Sequence, residues 1–357
     1  MKSIKKRKVD AKSTFPFRIQ HLVLALVVIM VILPNVLAHV PIIPRGNESL
    51  ATATVIPDPT KSWAIYGELH SGGEVQYYRF NIDRGQRIYV SMMKSTSSED
   101  ESFLPSLALF GTGLRSNGSI PQFVQKPENS NVIALEGKQP SQADYEGFSP
   151  GSFYSLGALD LNAPASGTYY IAVYDPARGG HYSLAVGERE SFTLTEWILS
   201  PLNFITIYQW EGESLLWIFA PLAVTIAIGL LLIFWRSRSG RPTSEARRLV
   251  GTLAGLMFIG TGMIVLSQMT FALTHTPIAT DVVITVVFAT IPILLGIATI
   301  RVVSRSREKF GLRTRLTLII LGLLSLFAWA GIIIGPVLAI AAGLIPASKI
   351  ASRSQST

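Results

Sequence analysis

The chain has 357 residues, is 48% hydrophobic, carries a formal net charge of +8 and contains no cysteine. Its positive mean hydropathy of +0.38 predicts membrane helices, and the absence of cysteine excludes disulfides and thiolate metal sites. The charge is uneven, because residues 39–213 hold 11 Lys and Arg against 19 Asp and Glu. The remaining basic residues cluster beside apolar runs, so they indicate membrane topology and not a nucleic-acid-binding surface.

Residues 1–38 are predicted to form a signal peptide or an N-terminal transmembrane anchor. Seven Lys and Arg precede a short apolar run from Leu22 to Leu33, which Pro34 interrupts. The run is short for a membrane span and the segment ending at Ala38 suits a signal peptidase, so cleavage after Ala38 is favoured. The alternative is an uncleaved helix that places the next domain on the same side of the membrane.

Residues 39–190 predict an extracytoplasmic all-β sandwich of the jelly-roll or immunoglobulin-like kind. Alternating apolar residues between turn signals mark the strands. The expected strands are residues 63–69, 74–82, 86–93, 106–110, 131–135, 169–174 and 181–186. We expect the last two strands to form a hairpin, and Asp83–Arg84–Gly85 to form a second tight hairpin turn. The polar loops at 95–103 and 136–152 are long enough to be mobile.

Three segments carry a resemblance to a known family. They read YYRFNIDRGQRIYVSM, LALFG and APASGTYYIAVYDPARGGHYSLAVG, within residues 62–187. Together they resemble the bacterial pre-peptidase C-terminal domain. The resemblance implies a small β-sandwich that accompanies catalytic or membrane domains as an accessory binding or stabilising module. It brings no catalytic residue with it.

The rest of the chain predicts an all-α transmembrane bundle. An aromatic interfacial linker at 191–213 precedes a bundle of about four helices at 214–346, with spans at 215–235, 249–273, 282–303 and 316–334, and a polar tail at 347–357. Arginine-rich loops follow the first and third spans. The positive-inside bias places both loops in the cytoplasm and the sandwich outside, in a multi-pass protein of the cell membrane.

Two features of the bundle admit alternatives. The apolar stretch from Leu316 to Pro346 either crosses the membrane once or turns back as a hairpin, and we expect a single crossing because about nine residues after Pro336 are too few to recross. Gly251 and Gly255 form a GxxxG pair, which suits close helix packing within the bundle or against a partner.

The sequence offers one hypothesis for metal binding. If cleavage follows Ala38, the free amine and imidazole of His39 could chelate copper, with His70 or His181 as a further ligand. The alternative is that these histidines are separate surface residues that form no common metal site. Asn47 and Asn117 begin N-x-S glycosylation motifs, which also occur by chance.

We therefore expect a non-enzymatic, membrane-anchored protein without a cofactor that binds, senses or stabilises a complex. Its expected partners are the lipid bilayer and a membrane-protein or cell-envelope component, and no nucleic acid. One alternative is a copper-binding or oxidase-accessory protein that uses His39, and another is a channel or transporter subunit. Lys, Arg, Asp and Glu are absent from the four expected spans except for Arg301, which lies near the end of the third span, and this scarcity of charge disfavours ion-coupled transport.

Overall fold

The computed structural model describes residues 39–238, 246–305 and 311–345, so the predictions on residues 1–38 and 347–357 lie outside the described residues. Eleven strands precede six helices in this part of the chain. The strands are β1 (Val40–Ile42), β2 (Thr54–Val55), β3 (Trp63–Leu69), β4 (Val75–Ile82), β5 (Arg87–Ser95), β6 (Ser106–Gly111), β7 (Asn131–Glu136), β8 (Asp144–Glu146), β9 (Gly151–Asn162), β10 (Gly167–Tyr174) and β11 (Gly180–Val186). The helices are α1 (Leu194–Trp210), α2 (Leu215–Arg238), α3 (Ala246–Ala272), α4 (Val282–Arg305), α5 (Leu312–Phe327) and α6 (Ile334–Leu344).

The strands form two facing sheets, which confirms the predicted sandwich. The six-stranded sheet has the order β1-β3-β11-β5-β9-β8, and the five-stranded sheet has the order β2-β4-β10-β6-β7. Neighbouring strands are antiparallel except for β1 with β3 and β2 with β4. The described fold is therefore an all-β sandwich followed by helices.

The sandwich core lies between the inner faces of the two sheets, as the alternation predicted. The buried residues on the predicted faces are Tyr78, Phe80, Ile82, Ile88, Val90, Met92, Tyr169, Ile171, Val173, Tyr182, Leu184 and Val186. The hydroxyls of Tyr78 and Tyr182 lie 2.6 Å apart, and the Tyr182 hydroxyl donates to Gln76 Oε1 at 2.7 Å. This pairing satisfies polar atoms that would otherwise be costly to bury.

Both predicted hairpins are wrong. β10 pairs with β4 and β6, whereas β11 pairs with β3 and β5, so the turn after Tyr174 crosses from one sheet to the other. The Asp83–Gly85 turn likewise joins β4 of one sheet to β5 of the other. Alternation of apolar residues identifies the buried face of a strand but not the strand with which it pairs. A connection that crosses between the two sheets therefore has the same sequence pattern as a hairpin. The left-handed conformation of Gly85 is confirmed, with φ of 85°.

Both polar loops that are long enough to be mobile contain regular structure or buried hydrogen bonds. The 136–152 loop contains β8 and leads into β9, a strand of 12 residues that the sequence analysis missed. In the 95–103 loop, the fully buried Lys94 donates from Nζ to the carbonyl oxygens of Asp100, Glu101 and Phe103 at 2.9–3.1 Å. Burial lowers the pKa of Lys94, and the three acceptors fix the loop around the ammonium group.

Three of the described helices are long and apolar enough to cross a membrane: α2 over Leu215–Trp235, α3 over Ala246–Ala272 and α4 over Val282–Arg305. α3 is the central helix, because α2, α4 and α6 all pack against it. The GxxxG face lies inside the bundle. A Cβ at Gly251 would meet Val303, and a Cβ at Gly255 would lie 2.9 Å from the carbonyl oxygen of Gly296 on α4.

The expected single crossing at the end of the chain is wrong, because α5 and α6 form a hairpin. A Cβ at Gly322 or Gly343 would meet the facing helix at 2.7–2.8 Å, so the glycines allow the two helices to approach closely. At the far end, the Arg315 guanidinium donates to the carbonyl oxygens of Gly343 and Leu344 at 2.7 and 3.1 Å. The expectation was based only on the small number of residues after Pro336. Packing against α5 and this C-terminal cap stabilise α6, although it has only 11 residues.

Candidate ligand site between the sandwich and the helices

Helix α1 connects the sandwich to the helical bundle. It begins with a capping box, in which the Thr193 hydroxyl accepts from the Glu196 amide and the Glu196 carboxylate accepts from the Thr193 amide. The same carboxylate pairs with Lys61 of the sandwich at 2.8 Å. At the other end, the Trp210 indole donates to the carbonyl oxygen of Gly67 in β3 at 2.8 Å. Helix α1 is therefore attached to the sandwich at both ends.

A short loop, residues 147–150, attaches the sandwich directly to the bundle, and we call it the docking loop. The Thr285 hydroxyl of α4 donates to the Gly147 carbonyl oxygen at 2.6 Å and contacts the Tyr145 hydroxyl at 2.7 Å. A Cβ at Gly147 would lie 2.5 Å from the carbonyl oxygen of Asp281, so glycine permits this close approach. The sandwich is thus held at the start of α4.

Phe148 projects from the docking loop into an aromatic pocket of about 60 Å³. Its ring centroid lies 5.8 Å from Phe204 of α1, 5.3 Å from Phe288 of α4 and 5.1 Å from Trp329 after α5. All three contacts are edge-to-face, which is the favourable geometry for aromatic rings. Only 8% of Phe148 is exposed, so one side chain buries its surface against three separate segments.

The turn from α5 to α6 completes the aromatic pocket. The Trp329 indole donates to the Trp197 carbonyl oxygen at 2.7 Å, while the Trp197 indole donates to the Phe327 carbonyl oxygen at 2.9 Å. Trp329 has φ of 53°, a left-handed conformation that is unfavourable for a bulky residue. The reciprocal hydrogen bonds hold this conformation and keep the Trp329 ring against Phe148.

A second, more polar cavity of about 260 Å³ lies between the outer face of the six-stranded sheet and the end of α1, and we call it the junction cavity. Its sheet wall includes Tyr66, Tyr89 and Ser183, and its opposite wall includes Trp210 and Glu211. Glu146 and His39 also line it. Helix α1 separates this cavity from the aromatic pocket, because its Ile207 faces one and its Tyr208 the other.

The junction cavity holds carboxylates whose charged forms are disfavoured. Burial raises the pKa of Glu146 to about 7, with a further contribution from Asp281. Burial also raises the pKa of Glu211 well above its usual range, and the carboxylates of Glu213 and Glu146 add to that shift. Glu213, just outside the cavity, has a pKa raised by burial, and its Oε2 accepts from Gln268 at 2.7 Å. Ionisation of these groups places like charges close together.

Glu146 links the junction cavity to the docking loop. Its side chain lines the cavity, and its Oε1 accepts a hydrogen bond from the Phe148 amide at 2.8 Å. The same carboxylate therefore borders the cavity and accepts from the amide of the residue that packs in the bundle. The cavity and the anchor are two parts of one site.

The structure does not bring the three predicted copper ligands together. The β1 register places His39 beside Ser62, whereas His181 pairs with Glu68 six residues along β3, about 20 Å away. His70 lies beyond the end of β3 and contacts Glu74 at 3.2 Å. The described residues contain no group of three or more His, Asp or Glu suited to a metal ion. Copper binding stays a prediction.

His39 and His181 have structural contacts instead. His39 Nδ1 forms a hydrogen bond with the Ser62 hydroxyl, and burial lowers the pKa of the imidazole. Ser62 is 1% exposed, so this Ser–His pair does not present a nucleophile to solvent. The His181 imidazole contacts the buried Asp100 carboxylate at 3.1 Å, which raises the pKa of His181.

The two predicted glycosylation residues differ in accessibility. Asn47 is 1% exposed and donates to the Tyr77 carbonyl oxygen at 3.1 Å, so its amide is engaged in the folded protein. Asn117 is exposed and its backbone bridges to Ile133. Glycosylation at either position stays a prediction.

The fold and the site define a β-sandwich docked on apolar helices of membrane-spanning length. No family model matches the chain, and a search of curated proteins finds no match. Among solved structures, the pre-peptidase C-terminal domain of a collagenase from Bacillus anthracis matches at 21% identity, with a TM-score of 0.23, over 40% of this chain and 98% of that domain.

Two copper-binding proteins also match. CorA, a surface-associated protein of Methylomicrobium album BG8, matches at 10% identity with a TM-score of 0.21, over 38% of this chain and 98% of that chain. The secreted protein MopE of Methylococcus capsulatus, in which an oxidized tryptophan facilitates copper binding, matches at 13% identity with a TM-score of 0.17. That match covers 32% of this chain and 70% of MopE.

Proposed function

We propose that this protein is a non-catalytic, membrane-anchored binding protein with its sandwich outside the cytoplasm and its ligand site in the junction cavity. The position of Glu146 carries the proposal, because one carboxylate both lines the cavity and holds the Phe148 amide. A ligand that contacts Glu146 changes how firmly the sandwich is docked. The protein would in this way report binding outside to the helices inside the membrane.

The charge distribution supports the proposed orientation. The sandwich contacts the start of α4, where Thr285 donates to Gly147. Helix α1, which follows the sandwich, contacts the end of α5, where Trp197 donates to Phe327. Among the described basic residues, Arg247 at the start of α3 and Arg305 at the end of α4 lie at the opposite helix ends. Basic loops remain in the cytoplasm during insertion, so the sandwich end faces outward.

Cysteine labelling tests the orientation, because the chain has no native cysteine to interfere. Ser141→Cys places a thiol at an exposed position of the sandwich, and Ser239→Cys places one in the basic segment after α2. With a membrane-impermeant maleimide, Ser141→Cys should react in intact cells and Ser239→Cys only after lysis. The reverse pattern would overturn the proposal.

Crosslinking tests the coupling between sandwich and helices. The Tyr145 and Thr285 hydroxyls are 2.7 Å apart, so the double variant Tyr145→Cys/Thr285→Cys should be joined by a short bismaleimide in native membranes. Pairing Thr285→Cys with Ser141→Cys serves as the matched control and should give less crosslink. Equal yields for the two pairs would show that the sandwich is not docked and cannot signal through this contact.

A further inference from the structure

The junction cavity has a composition that selects for one class of ligand. It presents two carboxylates, Glu146 and Glu211, and aromatic rings that include Tyr66 and Trp210. No Lys or Arg is among the described residues that line it, and neither carboxylate has an ion-pair partner within the described chain. The polar side of the enclosure therefore carries carboxyl groups that become anionic when a cation lies beside them, and its apolar side is rich in π-electron faces.

From this lining we infer that the junction cavity binds an organic ammonium group of about the size of choline. The inference rests on the proposed binding role and adds the chemistry of the ligand. A cation would offset the repulsion between the two carboxylates, and the rings of Tyr66 and Trp210 would contact its methyl or methylene groups. These are the two kinds of group that recognise ammonium ions in proteins.

The size of the cavity suits one small organic molecule. A volume of about 260 Å³ holds several waters or one small organic molecule, and is larger than a bare metal ion needs. Its polar wall is made of side chains, since Ser183 and the two carboxylates point into it from three segments. A compact amine with a polar end fits this lining better than a lipid chain does.

The ammonium group has two sources next to a membrane, namely a lipid headgroup and a free amine. Both carry the same cation, and α1 places the cavity where the sandwich meets the helices. The experiment therefore uses soluble choline as the probe and varies the lipid. Full-length protein is placed in nanodiscs of phosphatidylglycerol, which has no ammonium group, or of phosphatidylcholine.

Calorimetric titration should show saturable choline binding in phosphatidylglycerol discs. The neutral isostere 3,3-dimethylbutanol, which has the same shape without the charge, should bind at least about ten-fold more weakly. Weaker choline binding in phosphatidylcholine discs identifies the headgroup as a source, and equal binding identifies a free amine. Equal affinity for choline and its neutral isostere, or no saturable choline binding in either disc, would overturn the inference.

Variants then locate the binding in the cavity. Glu211→Gln should weaken choline binding at least about ten-fold, whereas Glu128→Gln, which changes an exposed carboxylate of the sandwich, should leave it unchanged. Ala185→Leu fills the cavity from β11 and should abolish binding even if Glu211→Gln folds poorly. Choline binding that survives Ala185→Leu would place the site elsewhere. These results do not depend on membrane orientation, so they are separable from the labelling test above.

Discussion

At the scale of single residues, the site depends on side chains with no conspicuous motif. The histidines were predicted as copper ligands because imidazole binds metals. In the described structure, His39 and His181 form hydrogen bonds to other side chains. Glu146 and Phe148 lie in the polar segment 136–152, which was predicted as a loop without an assigned role. Glu211 and Glu213 could have indicated the site from the sequence, because two carboxylates directly before an apolar span are costly to bury.

The first prediction concerns the pH dependence of stability. The pKa of Glu146 is raised from 4.5 to about 7, so the folded protein retains a proton that the unfolded chain releases. The resulting stabilisation is complete below pH 4.5 and is lost as the pH rises through about 7. We expect the free energy of unfolding to fall by about 3 kcal/mol across this window.

Thermal melts of full-length protein in detergent at several pH values measure this effect. Glu146→Gln retains an acceptor for the Phe148 amide without a titrating group, so its melting temperature should vary less with pH. Glu128→Gln, on the sandwich surface, should retain the full dependence. The pKa of Glu211 is raised as well, so the slope of Glu146→Gln should decrease without vanishing. An unchanged slope would contradict the assignment.

The second prediction concerns the anchor. Phe148→Ala removes a ring packed against Phe204, Phe288 and Trp329, and should cost ~3–5 kcal/mol of docking free energy. Hydrogen exchange of the docking-loop amides should accelerate accordingly. Phe123→Ala, which removes a ring that is 40% exposed, should cost less than ~1 kcal/mol and serves as the control. Similar exchange in both variants would mean that Phe148 does not hold the sandwich.

At the scale of secondary-structure elements, periodicity predicted what strands bury but not which strands they join. β3 was predicted with its observed bounds because Trp63, Ile65 and Leu69 repeat on one face. β9 was missed because a β-bulge opposite Met92 and Met93 interrupts its two-residue period, although Leu159 and Leu161 alternate with exposed residues beyond it. Strand pairing depends on contacts between distant segments, so β10 and β11 were assigned to the same sheet in error.

The third prediction tests helix packing at the GxxxG face. A Cβ at Gly255 would lie 2.6 Å from Ile300 and 2.9 Å from the Gly296 carbonyl oxygen, so Gly255→Ala should separate α3 from α4 and cost ~1–3 kcal/mol. Gly311→Ala is the matched control, because a Cβ there meets nothing within 4 Å. Thermal unfolding in detergent compares them. Equal melting temperatures would show that the glycine face does not set the α3–α4 distance.

At the scale of the whole molecule, composition predicted a sandwich followed by helices. A domain in water must bury its apolar side chains, whereas a helix in the bilayer exposes them to lipid. α2 shows the second case, since 6% of its apolar window is buried in the protein and the remainder suits contact with lipid. The junction was not predictable in the same way. It depends on how β3, α1, α4 and the α5–α6 turn meet, and no local pattern encodes that meeting.

The final prediction follows from the α5–α6 hairpin and concerns the side on which the chain ends. Arg315, in the first turns of α5, caps the carbonyl oxygens of Gly343 and Leu344, so α6 ends at the level of the basic segments. A thiol at Ser354→Cys in the tail should therefore behave as Ser239→Cys does and resist an impermeant maleimide in intact cells. A single crossing would place it with Ser141→Cys on the outer side. Arg315→Gln removes a positive charge that favours the cytoplasmic side, and it also weakens the cap on α6. Labelling of Ser354→Cys by the maleimide should therefore increase. Unchanged labelling would show that other contacts hold the hairpin.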